Sequence, residues 1–349
     1  MKMNGRIIKI NRIPVSIIVI IVTCILIYLY GSGEKSAAYN IFTNQNKVNM
    51  RKLLIGAIHA AQRGGLEIVE VAQSQDLKER SKGKTDEGAN DPYTVADSRS
   101  HCVMKQGLLR IFPRIVVISE EDKEICTESS TFDLDPTVLH ETAKVTDELV
   151  SVHDITIWID PLDATQEFTE KLYQYVTTMV CVAVKGNPVI GVIHNPFSGQ
   201  TAWAWLGHSM SEYLETIRLS AATAKQPVIT VSRSHAGNAK DLIYAVFGEH
   251  SNILTAAGAG YKVLQVIGNN ATAYLHSTKI KKWDICAGDA ILRTFGGRMT
   301  TLDNEVINYG RNESAINARG LLATVSNHEQ YIDKIIAYRQ ATNVKSNQR

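Results

Sequence analysis

Two aspartates stand close together in the run WIDPLDATQEF at residues 158–168: Asp160 and Asp163, with only Pro161 and Leu162 between them. Carboxylates held that close repel each other unless a cation lies between them. The residues ahead of the pair alternate as in a strand, with Ile155, Ile157 and Ile159 on one face. Proline breaks a sheet ladder and fixes a turn, so the aspartates are expected at a strand end. Thr165 then opens what reads as a helix, whose first N–H groups point back at the same spot and favour an anion. A hard cation beside a phosphate is the chemistry such a turn would support. An isolated Asp-Pro-x-Asp is more often a plain surface turn, so the rest of the chain must decide.

Further acids recur in similar settings. The apolar run 115–118 ends at Ser119-Glu120-Glu121-Asp122, Thr94 and Asp97 open a helical pattern, and Asp284 follows Trp283 at the start of another. Each has a bland reading as a helix cap, a first-turn acid or a solvated loop residue. Taken together, Asp97, Glu120, Asp160, Asp163 and Asp284 are all expected at strand ends or helix starts, where a pocket forms. No Cys-x-x-Cys pair and no histidine cluster is present, so the implied ion is oxygen-liganded, with Mg2+ favoured. Two such ions suit phosphate ester hydrolysis. Ser232 and His235 follow the apolar strand 227–231, and Gly258 and Lys262 lie in a glycine-rich turn entering a helix. That turn is neither a P-loop nor a complete dinucleotide fingerprint.

The elements that must position these groups occupy most of a 349-residue chain that is 44% hydrophobic with a net charge of +2. This is room for one large domain or two small ones, and too little positive charge for nucleic acid as the main partner. Residues 1–12 carry Lys2, Arg6, Lys9 and Arg12 without an acid, and 13–33 carry no charge. The uncharged window matches the roughly 20 residues a bilayer demands, and the flanking charge puts the N-terminus in the cytoplasm. A cleaved signal peptide is the alternative. Residues 34–50 read as a polar stem, 51–340 as the folded domain and 341–349 as a polar tail. Within the domain, a helix is expected from 50 to about 81, a charged loop over 81–92, and consecutive strands over 175–184, 189–194 and 201–205. Of the five cysteines, Cys181 reads as a buried strand residue, and the spacing permits disulfides without demanding them.

Three segments in one order carry a resemblance: Glu120-Glu121 after a strand, Asp160-Pro161-Leu162-Asp163-Ala164-Thr165, and Trp283-Asp284-Ile285-Cys286-Ala287-Gly288. The chain resembles the Mg2+-dependent, lithium-sensitive phosphomonoesterases that include inositol monophosphatase, over roughly residues 50–340. It departs from them at Ala164, where most members have glycine, and at Cys286, where many have alanine. The resemblance implies a layered α/β/α/β/α sandwich, two or three Mg2+ ions and no covalent phosphoenzyme. By position, Glu120, Asp160, Asp163, Asp284 and the Leu162 carbonyl would bind metal. Asp97 and Thr165 would orient and deprotonate water, and Ser232, His235, Gly258 and Lys262 would hold a nucleotide.

The anchor, together with YVTTMVCVAV, SRSH, GAGYK and KKWDICAG, is most similar to the branch of that family that acts on adenosine 3′,5′-bisphosphate. That implies a single-pass Golgi membrane protein with a lumenal domain, which clears a sulfotransferase by-product. A homodimer is compatible with the resemblance. Sequons at Asn270 and Asn312 fit a lumenal domain. The competing readings are an inositol phosphate phosphatase and a catalytically silent, membrane-tethered binding protein. The complete ligand set argues against the latter.

Overall fold

Helix α1 (Met50–Ser74) starts where the Asn49 side chain accepts the Lys52 N–H at 2.7 Å, and it ends at Gln75, whose φ of 57° is left-handed. It is therefore shorter than its helical pattern suggests. It runs unbroken through Gly64, where a Cβ would lie 2.5 Å from the Met104 sulfur. The glycine lets α1 lie close on α2 (Val95–Ile111). Between the two helices, the expected charged loop is a hairpin of β1 (Arg80–Lys84) and β2 (Asn90–Tyr93).

The first sheet contains β3 (Val116–Ser119), β4 (Ile155–Asp163), β5 (Thr177–Val184), β6 (Asn187–Asn195), β7 (Gln200–Trp205) and β8 (Ser209–Met210). Its order is β8-β7-β6-β5-β4-β3, antiparallel throughout except for the parallel pair β3–β4. Helix α3 (Thr165–Thr169) follows β4 and is barely one turn long. The second sheet contains β9 (Val228–Ser232), β10 (Asn252–Ala256), β11 (Ala273–His276), β12 (Arg298–Thr300) and β13 (Leu321–Thr324), in the order β10-β9-β11-β13-β12. Helices α4 (Ala239–Phe247), α5 (Ala259–Ile267), α6 (Lys282–Thr294) and α7 (His328–Ser346) complete the frame. The last helix continues through residues read as a polar tail.

Three hydrophobic cores show how the layers stack. Ile155, Ile157 and Ile159 of β4 pack with Leu53, Leu54 and Met104 of α1 and α2. The opposite face of the same sheet, through Trp158 and Met179, packs with Val263 of α5, Ile285 and Ile291 of α6, and Tyr274 of the second sheet. The far face of that second sheet, through Val231 and Leu275, packs with Ile243 of α4 and Ile332 of α7. The order is helix pair, sheet, helix pair, sheet, helix pair. At roughly 25 cal/mol per Å2 of apolar surface removed from water, these interfaces supply the main drive for folding.

The computed structural model describes residues 46–85, 88–126, 136–220, 227–234 and 237–346. The chain divides into Met1–Lys47 and Val48–Arg349, and the architecture above belongs to the second unit. The expected anchor at 13–33, most of the stem and His235 lie outside the described residues. Among the described residues no helix is long and apolar enough to cross a membrane.

Candidate active site

The parallel pairing of β3 with β4 sets Ser119 opposite Ile159, and the Glu120 N–H donates to the Ile159 carbonyl at 3.2 Å. Glu120 and Asp160 therefore leave neighbouring strand ends side by side. The ladder between β4 and β5 then skips from Asp160 opposite Met179 to Asp163 opposite Thr177. Pro161, which has no N–H to give, and Leu162 fall in the gap. The Asp160 carboxylate accepts the Leu162 N–H at 3.2 Å across it. Ala164 turns the chain into α3 with φ of 71°.

Asp163 reaches across to the second sheet side. It accepts the N–H groups of Ala259 at 3.1 Å and Gly260 at 2.9 Å, the first residues of α5, and the Thr177 hydroxyl at 3.2 Å. Gly258 caps that helix with φ of 68°, and a Cβ there would lie 2.6 Å from the Tyr175 carbonyl and 3.1 Å from Asp163 Oδ2. Only glycine fits such a turn without strain. The Gly258 carbonyl accepts the buried Lys262 ammonium at 2.8 Å, which also lies 5.1 Å from the centroid of the Tyr274 ring. Asp284 accepts the Lys281 N–H at 3.2 Å, so it sits within the first turn of α6 rather than at its cap.

Asp97 is buried at the start of α2, where Thr94 is the cap. Its Oδ2 accepts both the N–H and the hydroxyl of Thr94 at 2.7 Å, closing a capping box. Its Oδ1 lies 3.0 Å from the Thr165 hydroxyl, which is also 3.1 Å from the Leu162 carbonyl. The hydrogen-bond reach expected of this pair is therefore present. Asp97 itself does not line the cavity; it stands behind Thr165.

The charge of the site is unbalanced. Burial, reinforced by Glu120 and Asp163, holds the carboxyls of Asp160 and Asp284 well above the usual range, and Asp284 pushes Asp160 further up. Burial also raises Asp163, against the pull of Lys262 and its backbone donors. Burial lifts Glu121 to about 7, with Glu120 adding to it. The Lys82 ammonium of β1 answers part of this charge, 3.0 Å from Glu120 and in contact with Glu121. Among the described residues no three metal-binding side chains already close around a single point. The donor set is nonetheless carboxylate and carbonyl oxygen alone, with buried negative charge in excess, and it fits Mg2+.

These groups share one cavity of about 400 Å3. Glu120, Asp160, Leu162, Asp163, Thr165 and Asp284 line it, as do Ser232, Gly258 and Lys262. Ser232 arrives there because β9 and β10 run parallel with Ser232 opposite Ala256, so the residues after Ser232 and the AAGAG segment leave the sheet at the same end. Of the described residues expected in the site, only Asp97 lies off the cavity wall, behind Thr165. Sequence reasoning missed Lys82, which gave no signal in its charged run, and Lys279 and Lys281, which line the cavity and were visible in KIKKWD. It also missed Arg233, whose guanidinium meets Glu167 at 3.1 Å and Glu170 at 2.7 Å and so straps the end of β9 to α3. Two disulfides, Cys102–Cys126 and Cys181–Cys286, complete the surroundings.

The inositol monophosphatase family model matches residues 49–342. A Drosophila melanogaster protein named "Putative inositol monophosphatase 3" is 62% identical over 349 residues, covering 99% of this chain and 98% of its own. The mouse "Golgi-resident adenosine 3′,5′-bisphosphate 3′-phosphatase" is 43% identical over 321 residues, covering 88% of this chain and 87% of its own. Among solved structures, CysQ from Bacteroides thetaiotaomicron superposes with a TM-score of 0.56 at 21% identity, covering 79% of this chain and 98% of that one. The last likeness speaks to the fold alone. The chain belongs to the inositol monophosphatase family and is a phosphatase of that family.

Proposed function

We propose that the cavity hydrolyses the 3′-phosphate of adenosine 3′,5′-bisphosphate, giving AMP and inorganic phosphate. Glu120, Asp160, Asp163, Asp284 and the Leu162 carbonyl would hold two or three Mg2+ ions. When bound, Mg2+ supplies Lewis-acid stabilisation of the phosphate charge and makes a water more acidic. The observation that carries the reading is the Thr165–Asp97 contact of 3.0 Å at the cavity wall. With its proton directed to Asp97, the Thr165 oxygen turns lone pairs to the cavity and orients a water. As that water attacks phosphorus and the P–O3′ bond breaks, its proton passes to Thr165 Oγ1 while the Thr165 proton passes to Asp97 Oδ1, and the departing 3′-oxygen takes a proton from solvent to leave as the hydroxyl of AMP. No side chain is needed as a nucleophile.

Lys262, Ser232 and Gly258 line the same cavity and would supply the nucleotide contacts. A buried ammonium suits a substrate with two phosphates. Residues 13–33 would anchor the chain in the Golgi membrane with the phosphatase domain in the lumen. The mouse relative's name and the two disulfides, which persist in oxidising compartments, support this. An inositol phosphate is the second reading, favoured by the name of the 62% identical relative.

The full chain, offered adenosine 3′,5′-bisphosphate and inositol 1-phosphate with Mg2+, with chelator and with Li+, tests this. Mg2+-dependent, Li+-inhibited phosphate release from the nucleotide, abolished in Asp160→Asn, is expected. Preference for the inositol ester would overturn the nucleotide pocket. Absence of turnover with both, in a folded chain, would return the silent binding protein.

A further inference from the structure

The turn that carries Glu120 is fastened to the helix that carries Asp97 by one face of α2. Ser98 donates to Glu124 at 3.1 Å, His101 Nδ1 lies 2.8 Å from the Ser119 hydroxyl, Lys105 pairs with Asp122, and Cys102 is joined to Cys126. Positions 98, 101, 102 and 105 follow helical spacing, so all four ties leave the same stripe of α2. Three of them are polar contacts that reorganise easily, and one is covalent. The restrained segment needs restraint: Glu120, Glu121, Asp122 and Glu124 crowd four acids into five positions beside the buried Asp160. Like charges so placed push the turn outward from the other carboxylates unless cations are already bound.

We propose that the Cys102–Cys126 disulfide is a positioning cross-link for the metal site, holding Glu120 in register with Asp160 and Asp284, so that opening it weakens Mg2+ binding. This rests on the reading of those carboxylates as the metal ligands. Cys181–Cys286 has a different place. It joins β5 to α6 inside the core, with both residues no more than 1% exposed. Cys102 and Cys126 are only half-buried, so a dithiol reaches the outer bond first. In that step dithiothreitol passes two electrons and two protons to the pair. One protein S–S bond breaks, two protein S–H bonds form, and the reagent closes to its cyclic disulfide. Supports of this kind around a metal ligand set typically change affinity by about 10–100-fold.

The experiment is calorimetric titration of the full chain with Mg2+ alone, in three states: oxidised, reduced at the outer bond, and Cys102→Ser/Cys126→Ser. Mass spectrometry after thiol capping counts which bonds opened. Mg2+ affinity is expected to fall about 10–100-fold in the reduced and serine forms. Dithiothreitol should have no further effect on the serine form, and circular dichroism should stay unchanged. A merely structural cross-link would lower the melting temperature but leave the Mg2+ affinity of the folded chain where it was, and that result overturns the proposal. If the serine pair fails to fold, the reduced and capped parent carries the same comparison. An oxidised chain that binds no Mg2+ overturns the metal-site reading and the proposal with it, whereas equal binding in all three states overturns the cross-link alone.

Discussion

Asp97→Asn separates the base from the helix cap. Oδ2 serves Thr94 through two contacts of 2.7 Å, and Oδ1 serves Thr165 at 3.0 Å. An asparagine with its oxygen at the Oδ2 position keeps both Thr94 donors. Its NH2 then donates to Thr165, whose own proton turns to the Leu162 carbonyl 3.1 Å away. The cap survives, and nothing remains to accept the proton of the attacking water. General-base assistance is worth about 10²–10⁴-fold, so kcat should fall by about that factor with little change in KM.

Stability should move the other way. Asp97 is 1% exposed, and burial pushes its carboxyl up from 3.8 to about 6. A gap of about two units corresponds to about 3 kcal/mol. The native pKa lies above the unfolded one, so the native state holds the proton more tightly. The contribution is full below about pH 4 and is lost as pH rises towards 6. The amide escapes that loss. In Mg2+-free buffer near neutral pH the variant should exceed the parent by up to about 3 kcal/mol, less about 1 kcal/mol for the reversed Thr165 bond. Urea denaturation at about pH 4 and about pH 7 reads this difference, and initial-rate kinetics with Mg2+ reads the loss of turnover. A folded variant that keeps kcat within about tenfold of the parent would remove Asp97 from the proton relay.

Ala164 holds φ of 71°, a conformation that costs a non-glycine residue about 1–2 kcal/mol, so Ala164→Gly should raise urea stability by about 1 kcal/mol at unchanged kcat. No gain would mean that the left-handed turn carries no strain. Burial lowers the Lys262 ammonium to about 8, so KM for adenosine 3′,5′-bisphosphate should rise as pH passes upward through that value. In Lys262→Met the KM should be higher and flat across the same range, and an identical profile in the two proteins would clear Lys262 of substrate contact. Arg233→Ala leaves the buried carboxylate of Glu167 without its guanidinium, which is itself 39% exposed. Denaturant titration should show a loss of about 1–3 kcal/mol, and Arg233→Lys should recover only part of it, because one ammonium cannot reach both Glu167 and Glu170. Full recovery by lysine would show that charge alone matters there.

How much of this was legible depended on whether a residue's role was local. The alternation of Ile155, Ile157 and Ile159 marked β4 because one face of that strand had to be apolar, and all three sit in the first core. The Asp160–Asp163 turn was legible for the same reason, since Pro161 cannot join a ladder. The hairpin of β1 and β2 was not: every residue of β1 is exposed, so no buried face imposed a period of two on its sequence. The end of α1 was hidden because neither glycine nor proline stops it; Gln75 takes the left-handed conformation instead. The disulfides span 24 and 105 residues, and such pairings are set by the packed fold rather than by spacing. His235 lies outside the described residues.

The bland readings of the acids turn out to be compatible with the chemical ones, because a carboxylate has two oxygens to spend. Asp97 caps α2 with Oδ2 and faces Thr165 with Oδ1. Asp163 takes the Ala259 N–H on Oδ1 and the Gly260 N–H on Oδ2, yet still lines the cavity. Asp284 receives the Lys281 N–H at the start of α6 and lines the same cavity. In each case a backbone donor fixes the rotamer before any ligand arrives, which is how buried like charges are kept in place despite their repulsion. The same arrangement explains why Asp97 and Asp284 fall at helix starts in the sequence, while Asp163, at the end of β4, is held by the start of α5. A helix start is where unpaired N–H groups are available to hold a carboxylate, and its partial positive charge lowers the cost of keeping one there.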